Sequence, residues 1–249
     1  MISVTILTKN SARTLKKTLE STVSFPEVII LDTGSTDHTL YIAREFSNTK
    51  IYNSTFLGFG PLHNQAIDLA SHDWILSLDS DEELTEKLVA EIQALSLDPS
   101  TVYSIERHNF FNGKQIKWCG GCHPDRVIRL FNRKSTRFSD DQVHEKVKIQ
   151  NLKQVLLSAP LLHTPYLEIH DFLEKMQHYT TLFAEQQKEK KKVSIFKALI
   201  HSWYAFIKSY IFKRGFLGGK EGLIISMYNG HTTFYKYLKL AERGGKNLL

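Results

Sequence analysis

The chain has 249 residues, 42% hydrophobic and 23% charged, a balance that excludes a disordered chain and supplies one large domain or a domain with an appendage. Its net charge of +6 favours an anionic partner, whether nucleic acid, a phosphorylated ligand or a membrane surface, without choosing among them. Two cysteines, Cys119 and Cys122, are too few for a disulfide framework and fit a reducing compartment.

The N-terminal Met1 to Leu7 lacks a basic region and a cleavage site, so it reads as a first strand rather than a signal peptide. Val4 to Leu7 is β-branched and apolar, and Thr8-Lys9-Asn10-Ser11 follows as a polar turn. Leu15, Leu19 and Val23 then recur at helical spacing. Val28 to Leu31 is the continuous apolar run of a strand buried on both faces, and it ends in Asp32-Thr33-Gly34-Ser35-Thr36-Asp37. A helix over Thr39 to Phe46, a strand around Ile51, a helix over Pro61 to Ala70 and a strand over Trp74 to Leu78 complete an alternation that predicts βαβ units. After Pro99 the character changes: Tyr103 to Phe111 and Val127 to Phe131 read as strands, and the last third as helices, with Leu173, Met176, Tyr179, Thr180 and Phe183 roughly in step. The run Lys188 to Lys192 reads as a linker or an exposed turn.

In an open α/β sheet, ligands bind beyond the carboxyl ends of the strands. Three predicted strand ends carry polar residues there: Thr8 to Asn10, Asp32, and Asp79-Ser80-Asp81. Asp79 and Asp81 are two residues apart, so an extended segment turns both carboxylates to one side, as a hard divalent cation gripping a diphosphate requires. Asp79 to Glu83, ahead of Leu84, equally suits a helix cap.

Ile30 to Thr39, His63-Asn64-Gln65-Ala66 and Asp73 to Glu83 together resemble family 2 glycosyltransferases with the GT-A fold. Arg129-Leu130-Phe131 and Val143-His144-Glu145 resemble the subgroup that adds glucose to the inner core of lipopolysaccharide or lipooligosaccharide. The resemblance spans about residues 2 to 185; one departure is His63, where the family often has Arg or Lys. It implies an α/β GT-A mixed sheet flanked by helices: a catalytic domain over 1–185, with a donor half at 1–100 and an acceptor half at 101–185, and a helical extension over 186–249. It also implies an inverting transferase that takes a UDP-sugar, uses Mn2+ or Mg2+, and acts on a lipid-linked saccharide, with no nucleic acid partner.

The candidate donor-binding residues are Thr8, Asn10, Asp32, Asn64 and Asp79, with Asp32 toward the uridine and Asp79 toward the ribose or the metal. Asp81, Asp79 and His163 are the candidate metal ligands; His163 reads equally as a structural residue at a strand end. Inversion needs a base for the acceptor hydroxyl, and Glu145, then Asp141, are the candidates. Surface pairs of these acids with Arg126, Arg129 or Arg133 are the competing reading, and either Arg126 or Arg129 would also suit a phosphate.

Cys119-Gly120-Gly121-Cys122-His123 fits a haem-attachment pattern, but the expected cytoplasmic location disfavours it, and a free-thiol loop is the preferred reading. Val193 to Phe212 reads as an aromatic-rich helix beside lysines, suited to an anionic headgroup layer or to covering the catalytic domain. A peripheral position on the cytoplasmic face of the inner membrane follows from a lipid-anchored acceptor. Two competing classes remain: a basic nucleic-acid-binding protein, for which no motif is found, and another nucleotide-sugar or nucleotidyl enzyme on a similar sheet.

Overall fold

A computed structural model describes residues 1–119, 124–141, 145–187 and 194–243. In chain order the elements are β1 (Ile2–Thr8), α1 (Leu15–Glu20), β2 (Glu27–Asp32), α2 (Thr39–Arg44), β3 (Thr49–Asn53), α3 (Phe59–Leu69), β4 (Trp74–Asp79), β5 (Glu82–Leu84) and α4 (Glu86–Gln93). They continue with β6 (Thr101–Phe111), β7 (Lys114–Gln115), β8 (Asp125–Asn132), β9 (Lys153–Leu156) and β10 (Leu161–His163). Helices α5 (Ile169–Gln187), α6 (Ile195–Ile207) and α7 (Gly219–Arg243) end the described chain, with a π-turn (Lys208–Phe212) and a 3-10 turn (Gly215–Gly218) between the last two.

The sheet runs β3-β2-β1-β4-β8-β6-β10-β5. Its first four strands are parallel, and β8 enters antiparallel beside β4. The strand–helix alternation of the first hundred residues therefore builds the parallel half, and the α/β mixed sheet expected from the sequence is the observed one. Strand β2 shows why its run is apolar throughout: Val28 and Ile30 face a core with Val4, Ile6, Leu15, Leu19 and Leu88, while Ile29 and Leu31 face Leu62, Ala66 and Ile67 of α3. Val23 departs from the predicted helical stripe; α1 has ended at Glu20 and Val23 is 62% exposed.

Two compact units are present: Met1–His108 with Pro124–Thr164, and Asn109–His123 with Pro165–Leu249. The boundary differs from the 185/186 division expected from the sequence, because α5 packs within the second unit. Ala184 and Leu240 form a small apolar cluster, and Lys239 Nζ donates to Thr180 Oγ1 at 2.9 Å. The buried stripe of α5 is Phe172, Met176, Thr180 and Ala184, one position out of phase with part of the predicted one: Leu173 and Tyr179 are exposed. In the same unit α7 approaches the turn before it closely, since a Cβ on Gly222 would stand 1.9 Å from the Gly215 carbonyl oxygen. The lysine run, Cys122, His123 and Val143-His144 lie outside the described residues.

Candidate active site

The site is set by register. Strand β1 lies between β2 and β4, with Thr8 opposite Asp32 and Leu7 opposite Asp79. Asp32 and Asp79, 47 positions apart in the chain, thus end at one carboxyl edge, about two strand spacings, roughly 10 Å, apart.

The Asp32 carboxylate is buried and organises the loops at this edge. It accepts from Thr8 Oγ1 at 3.0 Å, Gly34 N at 2.9 Å, Ser35 N at 2.8 Å and Ser35 Oγ at 2.5 Å. Burial alone would raise its pKa, but these donors outweigh it and hold the carboxyl below its ordinary range. Gly34, with φ at 97°, supplies the left-handed conformation that brings both amides onto one oxygen. Asn10 ties the neighbouring loop in: its Oδ1 accepts from Thr36 N and its own N–H donates to Ser35 Oγ, both at 2.8 Å.

At the end of β4, Asp79 meets a buried charge network. Arg129 Nη2, on β8, lies 2.5 Å from Asp79 Oδ2 and 2.5 Å from Glu82 Oε1. Arg107 on β6 adds contacts of 3.1 Å to Glu82 and 2.9 Å to Asp125. Glu82 is fully buried and also accepts from Asp79 N at 3.0 Å. Burial opposes the charge on both Asp79 and Arg129, but their mutual attraction prevails: Asp79 is held well below the carboxylate range and Arg129 above the usual guanidinium value. Burial pushes Glu82 up despite Arg129. Arg129 therefore sits beneath the site as the counter-charge of two acids, and the network shared by Arg107, Glu82 and Asp125 was not anticipated from the sequence. In sequence Arg107 stands between Glu106 and His108 on an unremarkable polar stretch.

The two residues after Asp79 do not cap the next helix. Thr85 does, its hydroxyl accepting from Leu88 N at 3.2 Å. The strand β5 intervenes instead and pairs antiparallel with β10, placing His163 opposite Glu82. That ladder, with Thr164 N donating to the Asp81 carbonyl at 3.0 Å, brings His163 Nε2 to 3.4 Å from Asp81 Oδ2. Asp81 and His163 are one oxygen and one nitrogen donor, while Asp79 is engaged by Arg129. No group of three such side chains occurs among the described residues. One carboxylate oxygen and one imidazole nitrogen fit a divalent cation that takes its remaining ligands from water and a diphosphate, and the nitrogen donor suits a transition ion such as Mn2+ better than the oxygen-seeking Mg2+.

The other predicted residues gather around α3. Asn64 clamps the Phe138 backbone, its Nδ2 donating to the carbonyl and its Oδ1 accepting the N–H, both at 3.1 Å. Asp141 is exposed; its carboxylate accepts from Ser139 Oγ and its carbonyl from Gly60 N. Glu145 Oε1 lies 3.9 Å from His63 Nε2. His63 is buried, stacked on Phe138 at 4.4 Å, and burial pushes its pKa down to about 4. At neutral pH the ring is uncharged, so it does not replace the family's Arg or Lys as a phosphate cation. Of the arginines expected opposite these acids, Arg133 pairs with Asp73, and Arg129 with Asp79 and Glu82.

The model of glycosyl transferase family 2 matches residues 3–150. The chain belongs to glycosyltransferase family 2. This family 2 glycosyltransferase is 28% identical to an uncharacterized glycosyltransferase of Rickettsia typhi, over 97% of this chain and 87% of that one. It is 26% identical to the lipopolysaccharide core biosynthesis glycosyltransferase LpsC of Rhizobium meliloti, over 97% and 92%. Among solved structures it resembles the mannosyltransferase PcManGT of Pyrobaculum calidifontis, at 16% identity and a TM-score of 0.49 over 97% and 85% of the chains. The family assignment rests on the sequence match and agrees with the parallel sheet edge described above.

Proposed function

We propose that this transferase moves a hexose, glucose, from a UDP-sugar to a lipid-linked inner-core saccharide of lipopolysaccharide or lipooligosaccharide, with inversion. The observation that carries the reading is the meeting of Thr8, Asp32 and Asp79 at one sheet edge, with Asp81 and His163 paired beside them. The similarity to LpsC along nearly the whole chain supports the choice of acceptor.

In this reading Asp81 and His163 hold a divalent cation, Mn2+ or Mg2+, which when bound neutralises charge on the diphosphate. The Asp32-braced loops with Asn10 form the nucleoside side, and Asn64 acts by holding the 138–141 segment in place. Asp79, fixed by Arg129, faces the ribose or the cation. Glu145, or Asp141 in its place, takes the proton of the acceptor hydroxyl as that oxygen bonds to the anomeric carbon. The bond from the anomeric carbon to the phosphate oxygen breaks at the same centre, and UDP leaves with its electron pair. A membrane-anchored acceptor puts the reaction at a bilayer surface, on the cytoplasmic face of the inner membrane.

Incubation with a panel of radiolabelled UDP-sugars and an inner-core acceptor, followed by linkage analysis, tests this. A β-linked glucose product is expected; transfer to a different glycan alone would redirect the acceptor assignment, and no transfer from any UDP-sugar would refute the donor.

A further inference from the structure

Helix α6 is inverted relative to an ordinary surface helix. Toward α7 it turns small or polar residues: Ala198 is buried, and Ser202 Oγ donates to the Gly230 carbonyl at 2.9 Å. A Cβ on Gly230 would already touch Phe206 Cβ at 3.3 Å, so the two helices approach closely through their small residues. Apart from Phe206 and the partly covered Ile195 and Ile207, the large apolar side chains are left outside. Phe196 is 73% exposed and Trp203 68%, with Leu199, Ile200 and Tyr204 completing a stripe at i, i+3, i+4, i+7 and i+8, and Phe212, at the end of the π-turn, is 72% exposed. Leu199, Ile200, Trp203, Tyr204 and Ile207 line a shallow apolar depression on this side.

We propose that this stripe is a docking surface for an anionic lipid bilayer. The proposal deepens the reading above, and rests on it for the lipid-linked acceptor, by naming the surface that meets the membrane. An exposed apolar area of this extent marks a contact surface, and the charges around it choose the partner. From Ser194 to Lys220 the chain carries Lys197, Lys208, Lys213, Arg214 and Lys220 and no Asp or Glu. All five cations are exposed. Lysines beside an apolar face complement anionic headgroups, and Trp203 and Tyr204 have the amphipathic rings that settle at the headgroup level. A second copy of the chain would bring the same five cations against one another. The helix has 13 residues, and none among the described residues is long and apolar enough to cross a membrane, so α6 lies in the plane of the interface.

The test is flotation of the full chain, without donor or acceptor, on phosphatidylglycerol and on phosphatidylcholine vesicles. Binding to phosphatidylglycerol is expected to be at least about ten-fold stronger and to weaken with salt, and Trp203→Glu is expected to lower it by a further order of magnitude, roughly. The tryptophan emission should shift to the blue on binding, and the shift should shrink in Trp203→Phe, which still binds. Equal binding to both lipids, binding unaffected by Trp203→Glu, or no vesicle binding with a dimer that Trp203→Glu dissociates would each overturn the proposal. Stabilisation of the same samples by a UDP-sugar, read separately, keeps the two readings apart. Loss of vesicle binding with stabilisation intact sinks the docking surface alone, and vesicle binding without any nucleotide-sugar response sinks the transferase reading alone.

Discussion

The edge of the parallel sheet and the outer face of α6 solve opposite problems. At the sheet edge, charges are buried: Glu82 and Arg129 are enclosed and neutralise each other, and apolar side chains fill both faces of the strands. On α6 the apolar groups are outside and the small polar ones inside. Burying charge costs several kcal/mol per ion unless it is paired, so the sheet edge retains this arrangement only because each acid has a guanidinium. Exposing a tryptophan costs little to the fold by comparison. The contrast is one of sensitivity: removing one member of the buried charge network leaves an uncompensated ion, whereas changing an exposed apolar side chain of α6 removes little that the fold depends on.

Breaking the network should therefore give the largest effect. Arg129→Met removes the closest cation from both Asp79 and the buried Glu82, leaving Glu82 only Arg107 at 3.1 Å, and should cost about 3–5 kcal/mol in denaturant unfolding; adding Glu82→Gln should restore part of it. A loss below about 1 kcal/mol would mean that the network behaves as an exposed pair and would erase the contrast.

The next effect lies at the opposite end of the strands and depends on pH. Glu27 is 3% exposed; burial raises its pKa, but Lys50, Ser3 and Ser71 donate to it and bring it to about 2 from 4.5. Because the folded-state pKa is the lower one, its stabilisation is fully present above about pH 4.5 and is lost as pH falls toward about 2. The stabilisation is on the order of 2–3 kcal/mol, and Glu27→Gln should flatten that limb of the stability–pH curve measured by urea unfolding. An unchanged limb would remove Glu27 as its source.

Close packing sets a third scale. Gly222→Ala places a methyl 1.9 Å from the Gly215 carbonyl oxygen, and a loss of about 1–3 kcal/mol is expected. Trp203→Glu should be the smallest of all, within about 0.5 kcal/mol by thermal melting. A large loss there would show that the outer face of α6 is part of a core.

Much of the sheet edge was legible from the sequence because apolar runs ending in Thr8, Asp32 and Asp79 are local patterns with a fixed structural consequence. The placement of His163 was suggested by resemblance, but its physical cause, the β5–β10 ladder, joins strands of three residues that no periodicity reveals. Arg107 and Glu82 were missed because their significance comes from a pairing across β6, β8 and the turn after β4. The composition of α6 disclosed a polar side and an apolar side, while which of them faces inward was decided by Gly230 and its neighbours on another helix. The division into compact units falls elsewhere than residue 185 for a similar reason: the partner of α5 is α7, far along the chain.

The central claim is that the carboxylates at the strand ends hold a nucleoside diphosphate through a cation. Thermal unfolding with UDP-glucose, with and without Mn2+, on the parent chain and on Asp81→Asn tests it most directly. A stabilisation of about 2.7 kcal/mol at a hundred-fold excess of ligand over its Kd is expected, dependent on the metal and lost in Asp81→Asn. A metal-independent stabilisation retained by Asp81→Asn would contradict it.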